Sequence, residues 1–204
     1  MTTLDVTLHY PDDRCIAINP PPGDPRTWAA ATAQEFGAGT DKTAGTARLA
    51  EALTDLARMA APERKILLIT TADLSVLAPL TVTVTPEPLT PADQAEFLWS
   101  PDAVVPPTAE VVEADHLGPG ISVAILHAQN ERQYATRRWL FAGENGALGA
   151  WLGPVAPYGL TAVEGIAGQV ILGSQVANFL PGTNQTLLNR FEAAAARQGE
   201  RWEL

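Results

Sequence analysis

Tyr134, Arg138 and Trp151 are the side chains whose types and spacing most plainly point to recognition. Two stretches in this region, 132–141 and 147–152, alternate in the manner of paired strands across the turn Gly143-Glu-Asn-Gly146. The alternation places Trp139, Phe141, Leu148 and Leu152 on a core face. Tyr134, Thr136, Arg138, Leu140 and Trp151 fall on the other. A guanidinium beside an indole makes a cation–π contact. Tyr, Trp and Arg also concentrate binding energy at interfaces. Tyr134, Arg138 and Trp151 are therefore the candidate partner-binding residues. Either a C-terminal helix covers them or they form a partner site, and three such large side chains on one strand pair predict partial burial.

The other chemistry-bearing residues fail the tests of known sites. Phe36-Gly-Ala-Gly-Thr-Asp-Lys-Thr43 ends in Lys-Thr like a phosphate-binding loop. That loop needs glycine immediately before the lysine and again five positions earlier, and it follows a strand. Asp41 and Phe36 hold those positions, and a helical pattern precedes them. The segment reads as a Gly-rich linker between helices. The serines, Ser75, Ser100, Ser122 and Ser174, lie outside any Gly-x-Ser-x-Gly elbow. Acidic neighbours such as Asp12-Asp13 and Glu113/Asp115 read as solvated surface. Cys15 is the single cysteine, which excludes an intramolecular disulfide and a cysteine-rich metal site; it reads as a small buried apolar residue.

The histidines are His9, His116 and His127. Stretches 111–116 and 121–128 read as a hairpin across Gly118-Pro-Gly120. Aligning Val112, Ala114 and His116 with Ile121, Val123, Ile125 and His127 calls for an even loop, Leu117 to Gly120. His116 then lies opposite Ile121 and His127 opposite Glu110, leaving the two imidazoles about 20 Å apart along the ladder. The expectation is no catalytic residue, no cofactor and no metal ligand.

Composition bounds the partners. The chain has 204 residues, 46% hydrophobic and 18% charged, enough to bury a core without staples. Lys and Arg number 13 against 23 Asp and Glu, a net charge of −10. Nucleic-acid affinity comes from basic side chains on phosphates, and anionic membrane surfaces attract the same side chains. The expectation is no nucleic-acid partner and no membrane. The first residues carry no basic and apolar signal pattern, and 165–180 is too short and polar to span a bilayer, so the expected location is cytoplasmic.

The elements that must position these residues follow from periodicity. Leu4–Tyr10 and Cys15–Asn19 read as a hairpin around Pro11-Asp-Asp-Arg14. Pro25–Phe36 reads as a helix capped by Asp24, and Thr43–Ala61 as a second, with Leu49, Leu53 and Leu56 at helical spacing. Strands are expected at 65–71 and 80–85, the latter with threonines on one face. Thr90-Pro-Ala-Asp93 opens a short helix to Trp99 by reciprocal capping, and 100–108 is Pro-rich and irregular. Thr161-Ala-Val-Glu164 has the form of a capping box, with Leu160, Val163, Ala167, Val170 and Ile171 on one side of its helix. A last amphipathic helix is expected over Asn184–Gln198. The fold class is α+β, an antiparallel sheet of about six to eight strands with helices on its faces. Residues 1–180 form one domain and 181–204 an amphipathic helix and tail.

Ile16-Ala-Ile-Asn-Pro20 followed by Trp28, then Arg138-Trp-Leu-Phe141, then Thr161-Ala-Val-Glu-Gly-Ile166 entering a helix carry a resemblance. Over roughly residues 4–180 the order of elements resembles the PsbP-like fold, an α/β/α sandwich also found in small bacterial lipoproteins of the LpqN type. The likeness is topological, and this sequence lacks the lipobox cysteine. It implies a binding or accessory protein, usually non-enzymatic.

Two classes of function follow. The first is a non-enzymatic cytoplasmic accessory protein that binds another protein in assembly, immunity or secretion. The second is an enzyme or small-ligand binder with an unfamiliar site near the Pro-rich segment 100–108. A pocket there, lined by His116 or His9 with Asp or Glu, would favour the second; a flat surface would favour the first. A homo-oligomeric structural subunit is the third possibility, marked by an apolar patch on the last helix.

Overall fold

A computed structural model describes residues 5–20, 23–37, 43–90, 92–93, 97, 100, 102–129 and 132–182. The last amphipathic helix expected at 184–198 lies outside these residues.

Strands Cys15–Ala17 (β2), Arg64–Thr70 (β3), Leu77–Thr85 (β4), Thr108–Ala114 (β5), Gly118–Gln129 (β6), Arg132–Ala142 (β7) and Ala147–Val155 (β8) form one antiparallel sheet in the order β2-β3-β4-β8-β7-β6-β5. Helices Pro25–Phe36 (α1), Thr43–Met59 (α2) and Pro157–Leu172 (α3) pack against it. This is the α+β class, with a seven-stranded sheet.

The expected N-terminal hairpin is not formed. Pro11 does close a turn, its carbonyl accepting from Arg14 and Cys15 at 3.1 and 3.0 Å. The two flanks then part company. Val6–Thr7 (β1) pairs with Gln175–Val176 (β9) as a separate ribbon, and β2 pairs with β3. β2 gains more by joining the sheet, where Cys15, Ile16 and Ile18 are buried, than by pairing with a short neighbour.

Helix α1 starts where capping dictates. The Asp24 carboxylate accepts from the backbone N–H groups of Arg26 and Thr27, with Pro25 in the first turn. In α2, Leu49, Leu53 and Leu56 are buried against Ile66 and Leu68 of β3. Leu67 and Ile69 alternate to the opposite face, so β3 is apolar from Ile66 to Ile69 because helices lie on both sides of it.

Helix α3 begins at Pro157, four residues before the expected capping box, and Ala156 at its N-cap makes no side-chain bond. Proline's fixed φ suits the first turn, so the helix starts there and Thr161 lies inside it. Leu160, Val163, Ala167, Val170 and Ile171 are buried as expected, against Trp139, Phe141, Leu148 and Leu152. On this side Arg137 donates to Ser122 at 2.8 Å and to Glu164 at 3.2 Å, and also pairs with Glu110.

The opposite face of the sheet has two covers. Helices α1 and α2 lie over β2 and β3. Phe97 and Leu89, from the segment after β4, lie over Ile121, Val123, Ile125 and Leu140 of β6 and β7. Ala92, Asp93 and Phe97 are helical, and the reciprocal cap is present: Thr90 N–H donates to Asp93 at 2.9 Å, and Asp93 N–H to Thr90 Oγ1 at 3.2 Å. Between the covers, β4 shows Thr81, Thr83 and Thr85 while Leu80 and Val82 face α3.

Candidate functional site

Arg138 and Trp151 are direct partners across the β7–β8 ladder. The guanidinium carbon lies 5.9 Å from the indole centroid, the cation–π contact that period-two alternation predicts. Phe97 packs edge-on against Trp151 with centroids 5.0 Å apart, and its carbonyl accepts from Arg138 Nη1 at 2.9 Å. Two fixed groups therefore orient the guanidinium. Burial pushes its pKa below the ordinary arginine range, with Tyr134 acting the other way.

Helix α3 does not cover this face, and the helix expected at 184–198 lies outside the described residues. Leu89 and Phe97, from the chain after β4, lie over this face, and α3 occupies the other side of the sheet. Helix α3 is directed by the apolar stripe of β7 and β8, Trp139, Phe141, Leu148 and Leu152. The mixed face is left to the chain after β4, where Phe97 is the aromatic anchor among the described residues.

Beneath that segment is a cavity of about 590 Å³. Its floor is the sheet, with Ala147, Gly149 and Trp151 of β8 at the centre. Thr83 and Thr85 of β4 stand along one side, Arg138 and Leu140 of β7 along the other. Leu89, Asp93, Phe97 and Ser100 form the cover. The space exists because β8 presents small residues where its neighbours present larger ones. A Cβ at Gly149 would meet Trp151 at 3.4 Å and Thr83 Oγ1 at 3.6 Å, ordinary contact distances. Arg138 is the cation of the described lining. Asp93 is its anion, exposed, with its pKa held below the usual aspartate value chiefly by the side-chain and backbone bonds from Thr90.

Tyr134 shares the face of Arg138 but belongs to a different cluster. It stacks flat on His127, centroids 4.6 Å apart with 5° between the planes. The buried His127 reaches Thr136 Oγ1 through Nε2 at 2.9 Å and Ser100 Oγ through Nδ1 at 3.3 Å; the tautomer decides which partner donates. Burial first, then the charge of Arg138, lowers the His127 pKa, against a smaller opposing pull from Asp102. Ser100 links this cluster to the cavity. The backbone ties beside it are Val104 N–H to Leu126 carbonyl at 3.0 Å and Ala128 N–H to Asp102 carbonyl at 3.1 Å. The supposedly irregular segment thus runs partly as an extension alongside β6, with Ala103 bridged to His127.

The expected β5–β6 register is wrong. Ala114 pairs with Gly118 and Val111 with Ile121, so the turn is Asp115–Leu117, closed by Gly118 at φ 71°. An odd turn is accommodated by a glycine in the left-handed region, and Val112 and Ala114 join the α3 face while Ile121, Val123 and Ile125 point away from it. His116 accordingly sits exposed in the turn, 3.1 Å from Gln175, and His127 lies opposite Tyr134 near the far end of β6. Among the described residues no cluster of three or more His, Cys, Asp and Glu could hold a metal ion.

A second cavity, about 500 Å³, lies beside α1 and β2, lined by Asp12, Asp13, Glu35 and Cys15 with Tyr10 and Phe36. Burial pushes the Cys15 thiol up to about 11, which keeps it protonated at neutral pH. Neither cavity is lined by His9 or His116.

Sequence reasoning found the Arg138–Trp151 pair and missed the rest of the first cavity. The threonine face of β4 was a readable signal. Phe97 and Ser100 carried none, because their placement depends on how the chain after β4 returns over the sheet. Among the described residues, no helix is long and apolar enough to cross a membrane. No protein-family model matches the chain, and no curated protein matches it in sequence.

Proposed function

We propose that this chain is a non-enzymatic binding protein whose ligand is a small molecule held between the sheet and the cover made by Leu89, Asp93, Phe97 and Ser100. The observation that carries the reading is the cavity of about 590 Å³ around Arg138 and Trp151. That volume falls within the range of small-ligand sites, and the mixture of apolar walls with a few fixed polar groups is what such sites require. The reading keeps Arg138 and Trp151 as binding residues but replaces the protein partner by a ligand. A partner surface needs these side chains presented outward, whereas Phe97 and Leu89 lie over them. Tyr134, engaged with His127, supports the cover and does not line the cavity. The resemblance to PsbP-like chains leads to the same non-enzymatic class.

The test is a titration with an uncharged planar fluorophore, N-phenyl-1-naphthylamine, against the native chain and Gly149→Leu. The leucine side chain would enter the cavity at a position whose Cβ meets no backbone obstruction. Saturable one-to-one binding to the native chain, weakened at least ten-fold in a folded Gly149→Leu, is the expected result. Binding that is non-saturable, or that Gly149→Leu leaves unchanged, would overturn the reading.

A further inference from the structure

We infer that the ligand of this cavity is an uncharged, ring-bearing molecule with a hydroxyl group, its ring over the floor at Ala147 and Gly149 and its hydroxyl on Thr83. The inference rests on the ligand-binding reading above and adds the ligand's chemical class. Three observations carry it.

The two charged side chains of the described lining are already engaged by the protein itself. Arg138 Nη1 donates to the Phe97 carbonyl at 2.9 Å, the guanidinium sits against the Trp151 ring, and Arg138 is engaged further besides. Asp93 is exposed, and its carboxylate accepts from the N–H and hydroxyl of Thr90 at 2.9 and 2.6 Å. A charge carried into the cavity gives up its water, and groups already bonded within the protein return little of that cost. An anion would have to compete with the contacts Arg138 already makes, and a cation would approach a guanidinium.

The rest of the described space is mostly apolar, with a flat floor. Leu89, Phe97, Leu140, Ala147 and Trp151 supply the apolar lining. Ala147 and Gly149 leave the centre of the sheet without bulk, and a Cβ at Gly149 would meet Trp151 only at 3.4 Å. A ring can lie on that floor and meet the Trp151 indole offset or edge-on, the arrangements aromatic pairs favour.

The β4 wall offers a neutral hydrogen bond beside that floor. Thr83 Oγ1 lies 3.6 Å from where a Gly149 Cβ would stand, and it donates to the Gly149 carbonyl at 3.4 Å. That distance is well beyond the usual O–H···O length of about 2.7–2.8 Å, so the hydroxyl is loosely held. A hydroxyl has one proton and two acceptor lone pairs, and the bond to Gly149 draws on the proton alone. Thr83 therefore suits a ligand that donates. A hydroxyl donates, whereas an ionised carboxylate only accepts. Thr83 is half-buried and Thr85 beyond it is exposed, so this polar edge runs from the floor out to solvent.

The test uses four matched probes, 2-naphthalenemethanol, its isomer 2-methoxynaphthalene, 2-naphthoate and 2-naphthylmethylamine, titrated calorimetrically at neutral pH against the native chain, Thr83→Val and Thr83→Ser. The native chain is expected to bind the alcohol at least about ten-fold more tightly than either ion, because neither charge recovers its lost hydration. Thr83→Val keeps the shape without the hydroxyl and should weaken the alcohol about three- to ten-fold relative to the ether, the worth of one neutral hydrogen bond. Thr83→Ser restores the hydroxyl and should restore the alcohol's affinity, which separates the bond from the shape of the wall. Binding of the carboxylate or the amine as tight as that of the alcohol would overturn the uncharged ligand and leave the cavity a ligand site. Equal effects of Thr83→Val on alcohol and ether would overturn the hydroxyl on Thr83, as would failure of the alcohol to bind where the uncharged fluorophore binds. Failure of every probe, together with failure of that fluorophore, would remove the ligand-binding reading itself.

Discussion

Phe97 meets Trp151 edge-on, ring centroids 5.0 Å apart, and through that contact a segment from the far side of β4 is held over the middle of the sheet. The same residue's carbonyl accepts from Arg138. One aromatic anchor thus fixes both the cover of the cavity and the orientation of its cation.

Trp151→Ala should therefore lose stability and binding together. Truncating a buried tryptophan costs about 3–5 kcal/mol, and the partly buried indole places this one near or below the lower end, about 2–3 kcal/mol. Phe97 would lose its partner, so the variant should also become more sensitive to proteolysis near residue 97. Urea unfolding and limited digestion measure the two effects. A change in stability below about 0.5 kcal/mol would mean that Phe97 is not anchored by Trp151.

His127 predicts a pH dependence. Burial and Arg138 lower its pKa in the fold, so the unfolded chain binds the proton more tightly than the native one. Stability is then fully present above the unfolded histidine value, about 6.5, and is lost as pH falls below it. Replacing His127 by Gln keeps hydrogen-bonding groups but removes the titration. Between pH 7.5 and 5.5 the native chain should lose more stability than His127→Gln, read from urea midpoints. Equal losses would show that His127 is not the group held neutral.

Leu53 tests the other cover. It is fully buried between α2 and the sheet. Leu53→Ala should cost about 2–5 kcal/mol, while leaving probe affinity at the Arg138 cavity unchanged in the folded fraction, because the two covers are separate clusters. Denaturant unfolding and a parallel titration check both parts. A coupled loss of affinity would show that α2 and the Phe97 cover act as one unit.

How far these features could be read in advance differs from residue to residue. Asp24 with Pro25 announced the start of α1, and Leu49, Leu53 and Leu56 announced its neighbour's buried stripe. Those are local matters of capping and of a 3.6-residue period, which the backbone obeys wherever the helix ends up. Arg138 and Trp151 were legible together because a hairpin joined by a short turn leaves few registers, and side chains alternate strictly in a strand. The α+β class followed from the number of strands and the tight turns between them.

The neighbours of each strand and the cover of each face were decided only by tertiary structure. Val6 alternates in sequence as though paired with the strand after Pro11, yet it pairs with Val176, because strand partners are chosen by the apolar area that distant segments can bury. The turn after Ala114 hides its register in one glycine, Gly118, whose left-handed φ admits a turn that alternation alone would reject. Ser100 and His127, and Phe97 and Trp151, are contacts between segments separated by 27 and 54 positions in sequence. No local period encodes such separations. Chain propensity and alternation determined which residues share a face; the placement of Leu89, Asp93, Phe97 and Ser100 over that face determined that it borders a cavity.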